Sequence, residues 1–300
     1  MSPAAAGWRV VFSSSSDLRR ARAQIPSPGA GRFAWLDEAA QAVLATLFPA
    51  DCRLCHVPLT RISRLPVCDA CLQGIHPTEC RICAVCGERL ESEFAEGLCG
   101  MCRRVEPRFV RATAYGAYEG GLRGLIHLLK YDHVRPAARV LGRMLAKAIE
   151  ELRPDLGGTL PVVVPVPLHA TRMRERGFNQ TEEIARAALK LLPGFSMSTR
   201  VLVRQRATDS QIGLTRHQRR ANLRGAFAVR AAEDIAARDV LLVDDVFTTG
   251  TTVSECARVL RRSGASRVFV ATVARVLKAE PTAAFDHQKG EEPVALGATA

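Results

Sequence analysis

Residues 240–252 read VLLVDDVFTTGTT, an apolar run that ends in two acids and is followed by a turn of hydroxyl groups around Gly250. The four apolar residues before Asp244 are typical of an inner parallel strand that is covered on both faces. Apolar residues at helical spacing then follow from 253 to 262. The stretch therefore predicts a buried strand at 240–243, a polar turn and a helix.

The predicted turn has the composition of a phosphate-binding site. Backbone N–H groups at a helix start favour an anion, and Gly250 lets the chain approach it closely. Further donors are the hydroxyl groups of Thr248, Thr249, Thr251 and Thr252. Because an ionised carboxylate accepts hydrogen bonds, Asp244 and Asp245 could hold the neighbouring hydroxyl groups of a ribose. An ordinary capped turn is the alternative for the Thr/Gly residues taken alone.

The composition of the chain is that of a folded protein with a basic surface. Its 300 residues are 47% hydrophobic and 24% charged, which is enough for one full core and a smaller module. Lys and Arg total 42 against 30 Asp and Glu, which gives a formal net charge of +12. This charge favours polyanionic partners, but it does not distinguish a phosphorylated small molecule from nucleic acid.

The ends of the chain differ from its middle. Residues 1–34 are rich in small and polar residues and are expected to form a flexible arm, as are residues 279–300 at the other end. An amphipathic helix is predicted at 35–50. Neither a signal peptide nor an apolar stretch of about 18 residues is found, so we expect a cytoplasmic protein without a membrane span.

Nine of the ten cysteines lie between residues 52 and 102, and eight of them form four Cys-x2-Cys pairs in a repeat offset by 31 residues. Cytoplasmic thiols are kept reduced, so the pattern indicates metal rather than disulfides. Two such pairs complete a tetrahedral four-thiolate zinc site that is closed to water and therefore structural. We expect a double zinc ribbon at 51–104 with two Zn²⁺ ions. The predicted ligands are Cys52, Cys55, Cys68, Cys71, Cys83, Cys86, Cys99 and Cys102.

Three questions about this module stay open at the level of the sequence. An iron–sulfur cluster is an alternative, although equal spacers favour zinc. The four pairs could combine in chain order or could interleave. Cys80 is either a spare thiol or a substitute ligand, because it stands three residues before Cys83. Outside the module, Cys256 is interpreted as a small buried side chain within a helix.

Strands and helices alternate from 107 to 278, which predicts an α/β domain with a mainly parallel, twisted sheet and flanking helices. The predicted strands are 112–118, 162–166, 200–205, 225–229, 240–243 and 268–273. The predicted helices are 121–131, 136–152 and 178–192.

Two other segments concentrate arginine. Arg172, Arg174 and Arg176 lie in the predicted loop after the strand at 162–166, where the carboxyl end of a parallel strand would present them to a diphosphate. Residues 203–227 carry six arginines against one acid, Asp209. That segment is interpreted as a lid over a diphosphate or as a grip on nucleic-acid phosphates. A solvated loop without a partner is the alternative for both segments.

The motifs together resemble the ComF family over about residues 35–278. The resemblance rests on the tandem Cys-x2-Cys pairs, on Lys130-Tyr131, on RGFNQ at 176–180, on the loop at 208–222 and on DDVFTTG at 244–250. The last of these is similar to the phosphoribosyl-diphosphate (PRPP) signature of type I phosphoribosyltransferases. The resemblance implies an amino-terminal double zinc ribbon followed by a type I phosphoribosyltransferase-like domain.

The resemblance also implies a site and a reaction. PRPP would bind with Mg²⁺, and transfer of its phosphoribosyl group would release diphosphate. Asp244, Asp245 and Arg176 are the implied catalytic residues, the acids at the ribose and the arginine at the leaving group. The other implied PRPP-binding residues are Lys130, Arg172, Arg174, Thr248, Thr249, Gly250, Thr251 and Thr252.

The resemblance implies a second, non-catalytic role as the alternative. The chain would then be an adaptor that binds single-stranded DNA and DNA-uptake proteins in natural transformation. Aromatic residues, only 5% of the chain, argue mildly against a surface on which bases stack. The sequence reveals neither a general base nor a pocket specific for an acceptor.

Overall fold

The computed structural model describes residues 49–61, 63–90, 97–206 and 216–277. The predicted arm and tail, and all but the last two residues of the predicted helix at 35–50, lie outside the described residues. Contacts divide the chain into two units, residues 1–50 with 58–62 and residues 51–57 with 63–300. In the described part of the first unit, the N–H of Leu59 donates to the carbonyl of Ala50 at 2.8 Å. The cysteines and the helices and strands given below belong to the second unit.

The cysteine-rich segment repeats one hairpin twice. The N–H of Cys52 donates to the carbonyl of Val57 at 2.9 Å, and the N–H of Cys83 donates to the carbonyl of Glu88 at 2.7 Å. These pairs are related by the 31-residue offset of the sequence repeat. A short helix follows each hairpin, α1 (Asp69–Gln73) and α2 (Gly100–Arg104).

A five-stranded sheet forms the centre of the larger domain, in the order β1-β7-β6-β2-β3. All of its pairings are parallel. Two further strands, β4 and β5, pair with each other in antiparallel orientation. The strands are β1 (Ala112–Ala117), β2 (Val162–Pro165), β3 (Ser196–Met197), β4 (Leu202–Arg204), β5 (Phe227–Val229), β6 (Val240–Phe247) and β7 (Val268–Arg275).

Helices flank this sheet, which confirms the predicted fold class. They are α3 (Gly120–Lys130), α4 (Ala137–Glu150), α5 (Arg153–Leu156), α6 (Ala170–Arg176), α7 (Gln180–Leu189), α8 (Arg216–Leu223) and α9 (Thr251–Arg262). Every residue of β7 is buried, and residues 240–243 of β6 have no exposed surface. Continuous apolar runs form these strands because both faces of an inner parallel strand are covered by helices.

The structure corrects several predicted elements. β6 continues through both acids to Phe247, because residues 244, 246 and 247 still pair with β7. The predicted strands at 200–205 and 225–229 leave the main sheet and form the β4–β5 ribbon instead. The two-residue strand β3 was not predicted, since so short a segment carries no alternation.

Two arginine-rich segments that were predicted as loops contain helices. α6 begins because the His169 side chain accepts a hydrogen bond from the N–H of Thr171 at 3.3 Å, and it ends at Gly177, which has a φ of 71°. α8 lies inside the segment predicted as a lid, and residues 207–215 of that segment are outside the described residues. Within the described ranges, no helix has the length and apolar character needed to cross a membrane.

Candidate functional site

The two acids of β6 lie against the start of α7. Asn179 fixes that start, because its side-chain oxygen accepts from the N–H of Thr181 at 3.1 Å and its amide donates to the carbonyl of Val166 at 3.1 Å. The cap thus ties the first turn of α7 to the residue after β2. It places Gln180 and Thr181 beside the carboxylates.

Asp245 is held by two side chains. Lys130 Nζ lies 2.8 Å from its Oδ1, and Gln180 Nε2 donates to its Oδ2 at 2.8 Å. Side-chain exposure is 15% for Lys130 and 6% for Asp245, so the ion pair is largely shielded from water. Burial by itself would lower the pKa of Lys130, but the neighbouring Asp245 carboxylate raises it above its ordinary value. Lys130 therefore stays charged.

Arg176 joins the same network through Gln180. Its Nη1 donates to Gln180 Oε1 at 2.9 Å, and its guanidinium carbon lies 5.3 Å from the centre of the Tyr131 ring. The Gln180 amide thus bridges a cation and a carboxylate. We call these four residues, Lys130, Asp245, Gln180 and Arg176, the carboxylate network.

Asp244 differs from its neighbour in that Lys130 does not bond to it. Its Oδ1 accepts from the N–H of Asp245 at 2.9 Å and lies 3.4 Å from Thr181 Oγ1. Burial and the negative charge of Asp245 raise the pKa of Asp244 to about 7, although Lys130 opposes this effect. A carboxyl group with this pKa changes between its protonated and ionised forms near neutral pH.

The turn after β6 is tightly packed. Gly250 has a φ of 73°, and a Cβ atom at this position would lie 2.7 Å from Cζ of Phe247. Glycine is therefore required for both its conformation and its lack of a side chain. Thr249 Oγ1 and Thr251 Oγ1 are 2.8 Å apart, and Thr251 is the first residue of α9. Thr248 is exposed, while Thr249 and Thr252 are half-buried.

The three arginines of α6 separate into two kinds. Arg172 and Arg174 are exposed on the helix surface, whereas Arg176 is half-buried and belongs to the carboxylate network. In the predicted lid, Arg206 Nη2 donates to the backbone carbonyls of Asn222 at 2.7 Å and Arg224 at 3.0 Å. The closing of a lid over a ligand stays a prediction.

The structure places Lys130, Arg176 and both acids together, as the sequence motifs predict for a common site. It adds Gln180 and Thr181, which the sequence reasoning did not name as site residues. Gln180 ends the RGFNQ stretch, and that position just after an Asn cap is the one signal that could have identified it. Gln180 is an uncharged residue in a polar stretch, so composition does not distinguish it.

The eight predicted metal ligands form two tetrads in chain order, not an interleaved arrangement. The first tetrad is Cys52, Cys55, Cys68 and Cys71, and the second is Cys83, Cys86, Cys99 and Cys102. Within each tetrad the sulfur atoms all lie within 4.8 Å of one another. Cys80 belongs to neither tetrad, and Cys256 is completely buried in α9, as expected.

Backbone N–H groups donate to sulfur atoms of the first tetrad. Cys52 Sγ accepts from the N–H of Leu54 at 3.4 Å and from the N–H of Cys68 at 3.3 Å. Burial opposes ionisation, but such backbone donors lower the pKa of Cys52 to about 6 and that of Cys83 to about 7. Burial and the neighbouring cysteines raise the pKa of Cys71 and Cys102 in the absence of metal. All ten cysteines are described, and none forms a disulfide. Four clustered sulfurs with N–H donors fit a structural Zn²⁺ ion in each tetrad.

The fold and the tetrads define the class of this protein: a double zinc ribbon joined to a phosphoribosyltransferase-type domain. Residues 131–293 match the model of the phosphoribosyl transferase domain family. Residues 43–103 match the model of the double zinc ribbon domain family.

Two relatives match most of the chain. The DNA utilization protein YhgH of Salmonella typhimurium is 33% identical over 230 residues, which cover 76% of this chain and 98% of the relative. Competence protein F of Haemophilus influenzae is 31% identical over 192 residues, which cover 63% of this chain and 82% of that protein. The chain therefore belongs to the ComF family.

A comparison with solved structures matches part of the chain. The glutamine PRPP amidotransferase from B. subtilis is 22% identical, with a TM-score of 0.30, and the match covers 46% of this chain and 26% of that one. The chain thus spans about a quarter of that longer enzyme, and so distant a likeness says nothing about activity.

Proposed function

We propose that the larger domain binds PRPP, or a related ribose phosphate, with Mg²⁺ at the carboxyl end of β6. We further propose that it transfers the phosphoribosyl group with release of diphosphate. The observation that carries this proposal is the carboxylate network, which holds one acid in place directly before a glycine turn and a helix start.

We also propose that the protein acts in the cytoplasm, because reduced cysteine tetrads suit that compartment.

The two acids would divide the work of holding the ribose. Because both oxygens of Asp245 already accept from Lys130 and Gln180, Asp245 would act mainly as a fixed support. Asp244 has fewer partners, and its carboxylate would accept from the ribose hydroxyl groups. The backbone N–H groups at the start of α9, with the hydroxyls of residues 248–252, would bind the ribose phosphate.

In the proposed reaction the bond from the anomeric carbon to diphosphate breaks, and an acceptor atom forms a bond to the same carbon. Positive charge develops on the sugar and negative charge on the leaving group. Asp244 would stabilise the first charge, and Arg176 the second. A Mg²⁺ ion would supply charge neutralisation at the diphosphate, and oxygen donors such as Asp244 suit this hard cation.

Titration calorimetry with PRPP and Mg²⁺ tests the proposal. Asp244→Asn should weaken binding about tenfold or more, because hydrogen bonds to a charged group contribute about 1.5–3 kcal/mol. Glu182→Gln is the matched control, since Glu182 lies on α7 but pairs with Arg186. The proposal fails if the unmodified protein does not bind PRPP, or if both variants bind it equally well.

A second candidate function is supported by the relatives and by exposed arginine. The relatives carry names that refer to DNA utilization and competence, and Arg172 and Arg174 are exposed on α6. In this alternative the chain is an adaptor that binds single-stranded DNA without catalysis. Binding by phosphate contacts would decline steeply with salt, and replacement of both arginines would reduce that slope by about two. Intact DNA binding in Asp244→Asn would show that the two ligands use separate sites.

A further inference from the structure

Arg275 is a charged residue in the interior of the molecule. It ends β7 and is 4% exposed. Its Nη2 lies 3.7 Å from Cys86 Sγ and 3.2 Å from Glu88 Oε2. Its Nε and Nη1 are buried, and neither has a hydrogen-bond partner among the described residues. A buried guanidinium with so few bonds needs negative charge nearby.

The second tetrad supplies that charge. A Zn²⁺ ion bound by four thiolates has a net negative charge, because the negative charges of the thiolates exceed the positive charge of the metal. Cys86, which contacts Arg275, is one of those ligands. Glu88 follows two residues later and adds a carboxylate. With zinc bound, the second tetrad and Glu88 would together present negative charge to Arg275.

The other side of Arg275 contacts the turn after β6. Its guanidinium carbon lies 4.2 Å from the centre of the Phe247 ring, and the N–H of Val276 donates to the carbonyl of Phe247 at 2.9 Å. Phe247 in turn fills the space beside Gly250, where a Cβ atom would be 2.7 Å from its ring. A continuous series of contacts therefore connects Cys86, through Arg275 and Phe247, to the turn that contains Gly250.

The first tetrad has a different environment. Leu54, two residues after Cys52, packs on α3, where a Cβ atom at Gly124 would lie 2.5 Å from a Leu54 methyl group. The residue equivalent to Glu88 in the sequence repeat is Val57, which is 56% exposed. The contact of the first tetrad with the larger domain is thus apolar at this point.

We propose that Arg275 is a positioning residue through which the second metal centre, and not the first, orders the turn at 247–252. Metal in the second tetrad holds Arg275, Arg275 fixes the Phe247 ring, and the ring fixes the turn. The consequence for ligand affinity rests on the proposed function, since it assumes that the turn binds a ribose phosphate. The ordering of the turn itself does not.

The first test uses Arg275→Met in the full chain, with amide hydrogen exchange as the readout. We expect faster exchange at 247–253 while zinc analysis still finds both ions. Arg267→Met is the matched control, because Arg267 lies just before the opposite end of β7 and also stacks on a phenylalanine, 5.0 Å from the Phe269 ring. Arg275→Lys keeps the charge without the planar stack, and it should restore part of the protection. Unchanged exchange at 247–253 in Arg275→Met would overturn the proposal.

The second test uses the unmodified protein and therefore does not depend on the folding of a variant. A chelator removes zinc while an alkylating agent labels released cysteines, and mass spectrometry reports labelling at each position. Because the coupling of binding free energies between two sites is reciprocal, PRPP with Mg²⁺ should lower several-fold the fraction of second-tetrad cysteines released, and so labelled, at a fixed concentration of a zinc-selective chelator, and should leave the first tetrad unchanged. Equal effects on both tetrads, with PRPP bound, would contradict the proposal. If PRPP does not bind at all, the proposed function fails, and the exchange experiment still decides the role of Arg275.

Discussion

Asp244 and Asp245 are neighbours along β6, yet their carboxylates have different surroundings. Asp245 accepts hydrogen bonds at both oxygens from Lys130 and Gln180. Asp244 has no such cation bonded to it, and its pKa is raised to about 7 by burial and by the charge of Asp245. The two adjacent aspartates therefore differ chemically. Asp245 is held in place by its partners, and Asp244 can change its protonation near neutral pH.

This inequality predicts how stability depends on pH. In the unfolded chain Asp244 ionises near its ordinary pKa of 3.8, whereas in the folded chain it keeps its proton up to about 7. The folded state binds more protons in this window, so Asp244 makes the protein less stable as the pH rises through it. Asp244→Asn should therefore raise the free energy of unfolding above about pH 7, by at most a few kcal/mol, and the gain should vanish near pH 4. Urea unfolding across this range measures the effect.

Asp234 is a control of opposite sign. Hydrogen bonds from the Arg200 guanidinium and the Ser198 hydroxyl lower the pKa of Asp234 to about 2. Its contribution is favourable above the ordinary pKa of 3.8 and is lost as the pH falls towards 2. Asp234→Asn should destabilise the protein at neutral pH. A gain in both variants would show that a general loss of negative charge, and not the setting of Asp244, is responsible.

At the scale of elements, the junction of β6 and α9 combines a conformational and a steric demand. Gly250 has a φ of 73° and faces the Phe247 ring, so an alanine would be disfavoured on both counts. Gly225 has a φ of 70° with no neighbour within 4 Å, and Gly158 is free of both demands. These three positions separate the cost of the backbone conformation from the cost of the contact.

We expect Gly250→Ala to destabilise the protein most, by about 2–4 kcal/mol, because backbone strain of about 1–2 kcal/mol adds to the clash with Phe247. Gly225→Ala should show the strain alone, about 1–2 kcal/mol. Gly158→Ala should be close to neutral or slightly stabilising. Urea unfolding of the three variants gives the comparison. An equal loss of unfolding free energy in Gly250→Ala and Gly225→Ala would mean that the Phe247 ring can move aside without destabilising the protein.

Sequence patterns predicted the long elements better than the short ones. The apolar run at 240–243 and the amphipathic pattern after it correspond to β6 and α9, because burial on both faces and helical spacing leave clear periodicities. α6 was missed since its seven residues carry four charged side chains and no apolar face. β4 and β5 were recognised as strands, but their pairing with each other depends on tertiary contacts that local sequence does not encode.

Some residues of the candidate site could likewise be predicted from the sequence, and others could not. Lys130, Arg176 and the acids stand in motifs with a chemical signature, so they could be selected before the structure was known. Arg275 could not, and Gln180 carried one weak signal, its position just after an Asn cap. Gln180 acts through an amide that bridges two charges, and Arg275 acts through contacts with residues far away in the chain, such as Cys86.

At the scale of the whole molecule, the ribbon and the larger domain share a hydrophobic core. Cys83, Cys86 and Cys99 belong to the same buried cluster as Phe247 and residues of α9. The N–H of Ala112 in β1 also donates to the carbonyl of Val85 at 2.7 Å. The second hairpin is thus part of the domain interior, and loss of its metal should affect more than the hairpin.

We expect elemental analysis to find about two zinc ions per chain, and about one after either Cys55→Ser or Cys102→Ser. The two variants should differ in stability. Cys102→Ser should lower the midpoint of thermal unfolding more, because the second tetrad lies against the domain core whereas Cys55 is exposed. Iron in place of zinc, or equal midpoints for the two variants, would contradict this description.

The repeated hairpin has a consequence for how far its halves can be exchanged. The internal duplication offers two copies of one metal-binding unit. Glu88 of the second copy pairs with Arg275, while the equivalent residue of the first copy, Val57, is exposed. A chimera in which the first copy replaces the second would keep every zinc ligand and still leave Arg275 without its carboxylate. The two copies can therefore both bind zinc, but they are not interchangeable in their contacts with the larger domain.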